Sequence, residues 1–563
     1  MNENKAALGY QSFEEIRSNQ IFYIDKTDFI KQWWEFADKV TLITRPRRFG
    51  KTLNMSMVEC FFSNKYAGRS ELFEGLSIWR NKTFTEIQGT FPVIFLSFAN
   101  IKAAKYSDMV YKISKVIADL YNSNDFLVDG DLLNDNEKEY YKSIKPGIGE
   151  EVVTDSIHSM ANFMKRYFGK DVIILLDEYD TPMHEAWLSG YWNKAVRFFG
   201  NLFHATFKTN PFLERGLITG VTRIAKESIF TGLNNIEVVA ATSDKYADCF
   251  GFTQQEVFSA LDSAGLGGEA QEVQKWYDGF TFGTHKDIYN PWSIVSFINK
   301  KGVYEAYWIN TSENGLVNSL IQEGSASVKS KMEGLLAGVP LCTAMDERIV
   351  FDQLDDDEQA IWSLLLATGY LKIESIIHSE EEALYTLMLT NLEVKIMFRK
   401  MIKNWFKGTS RVYYNEFINA LLSDNVRKMN TFMNKVALNT FSSFDSGSKP
   451  SSQAEPERFY HGFVLGMVVD LSDKYTVLSN RESGYGRYDV MIKPHDKAEK
   501  AFIFEFKVID PDEDEDVLED TLANAHTQIE NRQYEMELID EGFSPGQIRK
   551  YGFAFKGKEC LIG

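Results

Sequence analysis

Cysteine is scarce in this chain. The four present, Cys60, Cys249, Cys342 and Cys560, lie far apart with no C-x-x-C spacing. That pattern argues against a disulfide framework and against a cysteine-built zinc site, and it fits a reducing, cytoplasmic setting. Long apolar runs are also missing. The strongest, Val172 to Leu176 and Phe463 to Val469, soon meet charge, well short of the ~18–20 apolar residues of a membrane span. The opening Met1-Asn2-Glu3-Asn4-Lys5 begins no apolar stretch, so neither a signal peptide nor a membrane partner is expected. An excess of basic charge is absent as well. Lys and Arg number 61 against 80 Asp and Glu, for a net charge of -19. Such a chain is a poor coat for nucleic acid, although a local basic groove remains compatible with it. Part of the acid is concentrated in Asp510-Pro511-Asp512-Glu513-Asp514-Glu515-Asp516, which reads as a solvated loop.

What is present is a globular composition. Hydrophobic residues make up 44% and charged residues 25%, and 42 Phe with 26 Tyr can fill large cores. At 563 residues the chain is too long for one core, and roughly three or four domains are expected. Residues 40–225 alternate strand and helix patterns. Strands are expected at 39–44, 91–98, 171–176 and 217–221, with helices between them, which predicts a parallel sheet with crossover helices. Residues 230–350 read as mainly helical. Glu358 to Thr368 reads as a helix, and 369–373 and 383–389 as strands; helix plus wing resembles a winged-helix module. Ser442 to Pro456 is rich in Ser, Gly and Pro and reads as a linker. Beyond it lie a helix over 458–469, strands near 475–479, 487–493 and 500–508, and a helix over 517–540. The fold class is α/β: a P-loop-type parallel sheet, a helical and winged-helix-like middle, and a C-terminal α/β domain. The expected domains are 1–235, 236–350, 351–450 and 455–563.

The first chemical motif is Arg45-Pro46-Arg47-Arg48-Phe49-Gly50-Lys51-Thr52, which follows a strand and opens a helix. Its G-K-T ending is that of a Walker A loop. Gly50 lets the backbone approach phosphate, Lys51 brings a point charge to the β- and γ-phosphates, and Thr52 offers a hydroxyl to Mg²⁺. Arg45 stands where that motif has glycine. Ile173-Ile174-Leu175-Leu176-Asp177-Glu178 is an apolar strand ending in two acids, a Walker B pattern. Asp177 is the expected Mg²⁺ holder and Glu178 the group that polarises the attacking water. Thr219-Gly220-Val221-Thr222-Arg223 ends a further strand. Thr222 is placed to sense the γ-phosphate, and Arg223 to offset developing charge.

The second motif is Gly486-Arg487-Tyr488-Asp489, followed by Phe504-Glu505-Phe506-Lys507. On a strand Glu505 and Lys507 share one face while Phe504 and Phe506 take the other. Asp489 and Glu505 suit a hard cation such as Mg²⁺, and Lys507 can orient or deprotonate a water. His461 and His526 read as structural or helix-surface residues rather than metal ligands.

Tyr23-Ile24-Asp25-Lys26-Thr27, RPRRFGKT, LLDEYD and TGVTRI together resemble the bacterial AAA-ATPase-like family of P-loop proteins, over roughly residues 5–235. In that family arginine is the rule at the place of Arg45. The C-terminal pattern resembles the PD-(D/E)XK nuclease superfamily. Glu457-Arg458-Phe459-Tyr460-His461-Gly462-Phe463 is similar to the start of the nuclease-like domain fused behind such ATPase-like modules. The resemblance implies that Glu457 can add a metal ligand and that Gln528 and Tyr534 belong to a later helix motif. A spacing of six does not put those two on one helix face, so Gln528 is the one expected near the site. The resulting expectation is an ATP-binding P-loop NTPase coupled to a Mg²⁺-dependent nuclease acting on DNA or RNA. Two other readings stay open: an ATP-driven switch that binds nucleic acid or protein without cleavage, and an ATPase that remodels a protein partner.

Overall fold

A computed structural model describes residues 6–223, 229–230, 233–308, 315–345, 354, 357–378, 383–405, 409–444, most of 462–483, 486–509, 517–556 and 559–563. The acidic run at 510–516, Glu457 and His461 lie outside the described residues.

The first sheet is built from β1 (Val40–Thr44), β2 (Val93–Ser97), β3 (Val172–Asp177), β4 (Leu213–Gly220) and β5 (Ile236–Val239). Their order is β2-β3-β4-β1-β5, and every pairing is parallel. Near-continuous apolar strands are what a sheet covered on both faces requires. Successive residues divide between the two faces. Leu42, Ile174 and Leu176 join helices Tyr106–Asn122, Glu150–Phe168 and Trp192–Phe207. Ile43, Ile173 and Leu175 join helices Asp28–Phe36 and Lys51–Phe62. The expected strands are present. β4 starts earlier than its apolar run because Glu214 and Arg215 extend it while only half-buried. The short edge strand β5 was not expected.

The middle is less helical than its composition suggests. β6 (Phe252–Thr253), β7 (Phe280–Phe282) and β8 (His285–Tyr289) form a small antiparallel sheet in the order β6-β8-β7. Strands of two and three residues leave no period for pattern reading to detect. Helix Glu358–Ala367 then leads into β10 (Leu371–His378) and β11 (Ala383–Leu389), which pair antiparallel, with β9 (Leu341–Ala344) beside β11. This is the helix-plus-wing arrangement, with one strand added. Helices Leu392–Trp405, Thr409–Leu422 and Val426–Phe444 follow. The last runs into the segment expected to be linker.

The C-terminal sheet has the order β12-β13-β14-β15-β16, formed by Tyr475–Ser483, Gly486–Pro494, Ala501–Val508, Ile548–Lys556 and Glu559–Ile562. Only β14 and β15 run parallel, so they need a crossover. Helix Leu518–Arg532 supplies it. The single helix expected over 517–540 is two, because Gln533 takes a left-handed conformation (φ 52°) and Met536–Asp540 restarts.

The edge of this sheet is covered by side chains rather than by a strand. Asn430 and Asn434 stand one turn apart on helix Val426–Phe444. Asn430 accepts from the Ile562 N–H (2.8 Å) and donates to the Ile562 carbonyl (2.7 Å). Asn434 does the same for Cys560 (2.9 and 2.7 Å). Two primary amides thus complete the ladder that an open edge leaves exposed. Asp424, just before that helix, accepts from Lys500, Arg549 (3.0 Å) and Tyr551 (3.3 Å) on the same sheet. One apolar cluster runs from Phe49 through Phe280, Trp308, Leu387 and Phe417 to Phe553, so the C-terminal sheet and the phosphate loop share a continuous core.

Asn434→Ala should remove two backbone partners at once and destabilise the protein by about 1–3 kcal/mol. The Asn430→Ala/Asn434→Ala double variant should also aggregate through its open edge. Urea unfolding with light scattering measures both, and unchanged values would mean that the amides do not hold β16.

Candidate functional site

The phosphate loop begins where β1 ends. The Arg45 N–H donates to the Gly220 carbonyl (3.1 Å) and extends the β1–β4 ladder by one rung. The Arg45 side chain does not enter the phosphate cavity. It is fully buried, donates to the Thr44 and Ala240 carbonyls (both 2.9 Å), and lies 4.2 Å from the centre of the Phe282 ring. Burial pushes its guanidinium down to about 9. Arg45 therefore braces the loop from below, a job that glycine could not do. This corrects its expected place among the phosphate-facing residues. Pro46 is likewise buried, against the neighbouring module.

Gly50 sits at φ 77°, in the left-handed region where a side chain is strained. It caps helix Lys51–Phe62. Lys51 is buried and donates to the Arg45 and Pro46 carbonyls (both 3.0 Å). Burial lowers the pKa of its ammonium, while Glu178, Asp180 and Asp177 oppose that shift. The Thr52 hydroxyl donates to Asp177 Oδ2 (2.7 Å), and the Thr219 hydroxyl donates to Asp177 Oδ1. Because β4 lies between β1 and β3, Thr219 bridges the space between the loop and the acidic strand. Thr219 was missed in the sequence, although it sits in the TGVTRI string.

The acids after β3 divide their work. Glu178 lines the cavity in a left-handed backbone conformation (φ 51°), which is costly for a residue with a side chain and typical of functional positions. Burial raises its pKa. Asp180, also unpredicted, is buried and accepts from the Val221 N–H (2.9 Å), the Thr222 N–H (2.8 Å) and the Thr222 hydroxyl (3.0 Å). His184 Nε2 lies 2.9 Å from the Thr222 hydroxyl, and burial lowers its pKa. The Thr222 hydroxyl already gives its proton to Asp180, so His184 Nε2 is the donor to Thr222. Thr222 therefore organises Asp180 and His184 at the cavity wall. Arg223 does not line that cavity. It lines a separate small space together with Thr44, Ala240, Ala241, Ser363 and Leu366, so the structure does not bring it together with the residues of the larger cavity.

The cavity has a volume of about 530 Å³. Arg47, Arg48, Lys51, Thr52, Glu178 and His184 line it. Phe22, Ile24, Pro291, Trp292 and Val295 line it as well. Asp177 is fully buried and is linked to that lining through the Thr52 hydroxyl.

The second constellation lies in the C-terminal sheet. The register Val490↔Phe504 puts Asp489 beside Glu505 on adjacent strands. Asp489 Oδ2 accepts from the Phe506 N–H (2.7 Å). Phe504 and Phe506 pack with Phe553 in the core, as the alternation predicts. Glu505 is only 3% exposed, and its Oε1 accepts from Gln528 Nε2. Its Oε2 is buried and has no hydrogen-bond partner among the described residues. Burial first, and the Asp489 charge second, push the Glu505 carboxyl up to about 8. Such a buried oxygen is costly unless something electropositive meets it. Two adjacent carboxylates with one unmatched oxygen are a donor set that fits a hard divalent cation.

Gln528 reaches this spot because Gly552 lets its helix lie close on the sheet; a Cβ there would come within 2.7 Å of Leu522. Tyr534 also arrives, against the helix-face argument. The helix ends at Arg532, Gln533 turns the chain, and the Tyr534 hydroxyl folds back to 3.2 Å from Gln528 Nε2.

Comparison with known proteins agrees with both halves. Residues 7–230 match the family described as "Predicted AAA-ATPase". Residues 455–563 match the PD-(D/E)XK nuclease superfamily. A protein of Azotobacter chroococcum mcd 1, described as "Uncharacterized protein in vnfD 5'region", is 25% identical over 397 residues, covering 70% of this chain and 69% of that one. No helix among the described residues is long and apolar enough to cross a membrane. The chain therefore joins an AAA-ATPase-like domain at its N-terminal end to a PD-(D/E)XK nuclease superfamily domain at its C-terminal end.

Proposed function

We propose that the chain binds ATP with Mg²⁺ at the phosphate loop, and that its C-terminal domain is a Mg²⁺-dependent nuclease acting on DNA or RNA under nucleotide control. The observation that carries the reading is the Asp489–Glu505 pair, with a buried Glu505 oxygen that lacks a partner. On the nucleotide side the support is the Thr52–Asp177–Thr219 chain of hydroxyls and carboxylate.

At the phosphate loop, Lys51 would exchange its two loop carbonyls for phosphate oxygens, a stronger charge-assisted pairing. Thr52 and Asp177 would hold Mg²⁺. Glu178 would orient the attacking water and take its proton. Arg47 and Arg48, which line the cavity, replace Arg223 as the cations near the phosphates.

At the second site Asp489 and Glu505 would hold the metal, with Glu457 as a further candidate. Bound there, Mg²⁺ lowers the pKa of a water and offsets charge on the phosphodiester. Gln528 fixes Glu505 through Oε1 and leaves Oε2 for the cation. Lys507, on the Glu505 face of β14, would orient the water and neutralise the transition state. A second reading, in which ATP sets conformation and the C-terminal domain binds without cutting, draws on the packing of Pro46 and Phe49 into the neighbouring module.

Lys51→Ala should weaken ATP binding about tenfold or more, since it loses charge-assisted bonds. Glu178→Gln should keep ATP bound and slow its hydrolysis about 10²-fold or more. Calorimetry and phosphate release separate the two variants, and parental values in both would remove the assignment.

Labelled single- and double-stranded DNA and RNA, incubated with Mg²⁺ or Mn²⁺ and with or without ATP, test the nuclease half. Asp489→Ala and Glu505→Ala should lose Mn²⁺ binding and cleavage together. Lys507→Ala should keep Mn²⁺ and lose about 10²-fold in rate. Absence of cleavage under every condition would leave the binding reading, and cleavage that survives in Asp489→Ala would remove the Asp489–Glu505 pair as the cutting site.

A further inference from the structure

The loop-to-helix segment that closes the nucleotide cavity belongs to the middle of the chain, beyond residue 230. Helix Pro291–Asn299 begins at Asn290, a fully buried residue with two roles. Its side-chain oxygen accepts from the Trp292 N–H (2.9 Å) and caps the helix. Its amide nitrogen donates to the Arg47 carbonyl (3.2 Å) in the phosphate loop. One side chain therefore fixes Trp292 relative to the residues expected to bind phosphate.

Six aromatic residues line the cavity: Tyr10, Phe22, Tyr23, Phe49, Phe252 and Trp292. Phe49 is committed to Phe280 and Phe282. The Tyr23 hydroxyl bonds Met57 and the Lys26 N–H. Phe252 is buried in the core of the middle unit. Trp292 is only partly buried against that core and also lines the cavity. Over its ring, 4.3 Å from the centre, lies the Arg48 guanidinium. Arg48 is an exposed phosphate-loop residue held at φ 68°. A flat cation on an indole face marks a surface that also takes a flat aromatic base.

We propose that Trp292 is the base-stacking wall of the nucleotide site, taking a purine on its cavity face. Arg48 then leaves the indole for the phosphates. The nucleotide is held by two units at once: its phosphates by the loop after β1, its base by helix Pro291–Asn299. Nucleotide occupancy thereby fastens the N-terminal sheet to the middle of the chain. The inference rests on the reading of the phosphate loop as an ATP site.

The test compares ATP with inorganic tripolyphosphate, which has the charge but no base. Both are titrated calorimetrically, with Mg²⁺, into the full-length parent, Trp292→Ala and Trp292→Phe. Stacking predicts that Trp292→Ala loses about tenfold or more in ATP affinity and binds tripolyphosphate like the parent. Trp292→Phe should recover most of the loss. Unchanged ATP affinity in Trp292→Ala overturns the proposal, and so does an equal loss for both ligands, which would make Trp292 a support of the loop. A parent that binds neither ligand overturns the nucleotide reading itself, an outcome distinct from either of these.

Discussion

One carbonyl oxygen, that of Arg47, receives the indole N–H of Trp308 (3.0 Å) and the side-chain amide of Asn290 (3.2 Å). Both donors come from outside the sheet that carries the phosphate loop, and the surrounding packing follows from this anchoring. Pro46 lies against Gly369, where a Cβ would be 2.8 Å from the proline ring. Phe49 stacks edge-on to Phe280 and Phe282. Gly251, at φ 87°, leaves room for the Phe49 ring. A phosphate loop ordinarily needs glycines so that backbone can wrap phosphate. Here the outer side of the loop is an interface, and buried proline, phenylalanine and arginine are what an interface requires.

The same middle region reaches the C-terminal sheet. Glu393 is fully buried and is matched by the Ser293 hydroxyl (2.9 Å) and the Trp308 N–H (2.6 Å). It ties the helix that bears Trp292 to the helices after the wing. Glu333 accepts from Ser479 on β12. Partnered carboxylates of this kind carry little net stabilisation but penalise any change of register. Glu505 is the contrast: buried equally deeply, with one oxygen unmatched. Asp278 and Glu535 also carry a buried oxygen without a hydrogen-bond partner among the described residues; what distinguishes Glu505 is Asp489 opposite it on the next strand and Gln528 on its other oxygen.

Much of the architecture was legible in order and type. The four long strands of the first sheet, the helix before the wing, and the three leading strands of the C-terminal sheet each carry a clear period or an unbroken apolar run. The small sheet β6–β8 was not legible, because its strands are too short to show a period. The Lys51, Thr52, Asp177 and Glu178 set was readable because strand and loop chemistry put them at fixed offsets. So were Glu505 and Lys507, which share a strand face by alternation alone.

What tertiary structure alone decided is which residues meet across elements. Thr219, rather than Thr222, reaches Asp177, because β4 lies between the loop strand and the acidic strand. Arg45 turns under the loop to the Thr44 and Ala240 carbonyls, and Arg223 lines a different space, shared with Ser363 and Leu366. Tyr534 joins Gln528 only because Gln533 takes a left-handed turn that no helical spacing anticipates. The sequence by itself determined the chemistry that follows local periodicity: two acids after a strand, a lysine at a helix start, a carboxylate and an ammonium on one strand face. Contacts between distant segments depend on how layers pack, and packing is a property of the whole core rather than of any one window of residues.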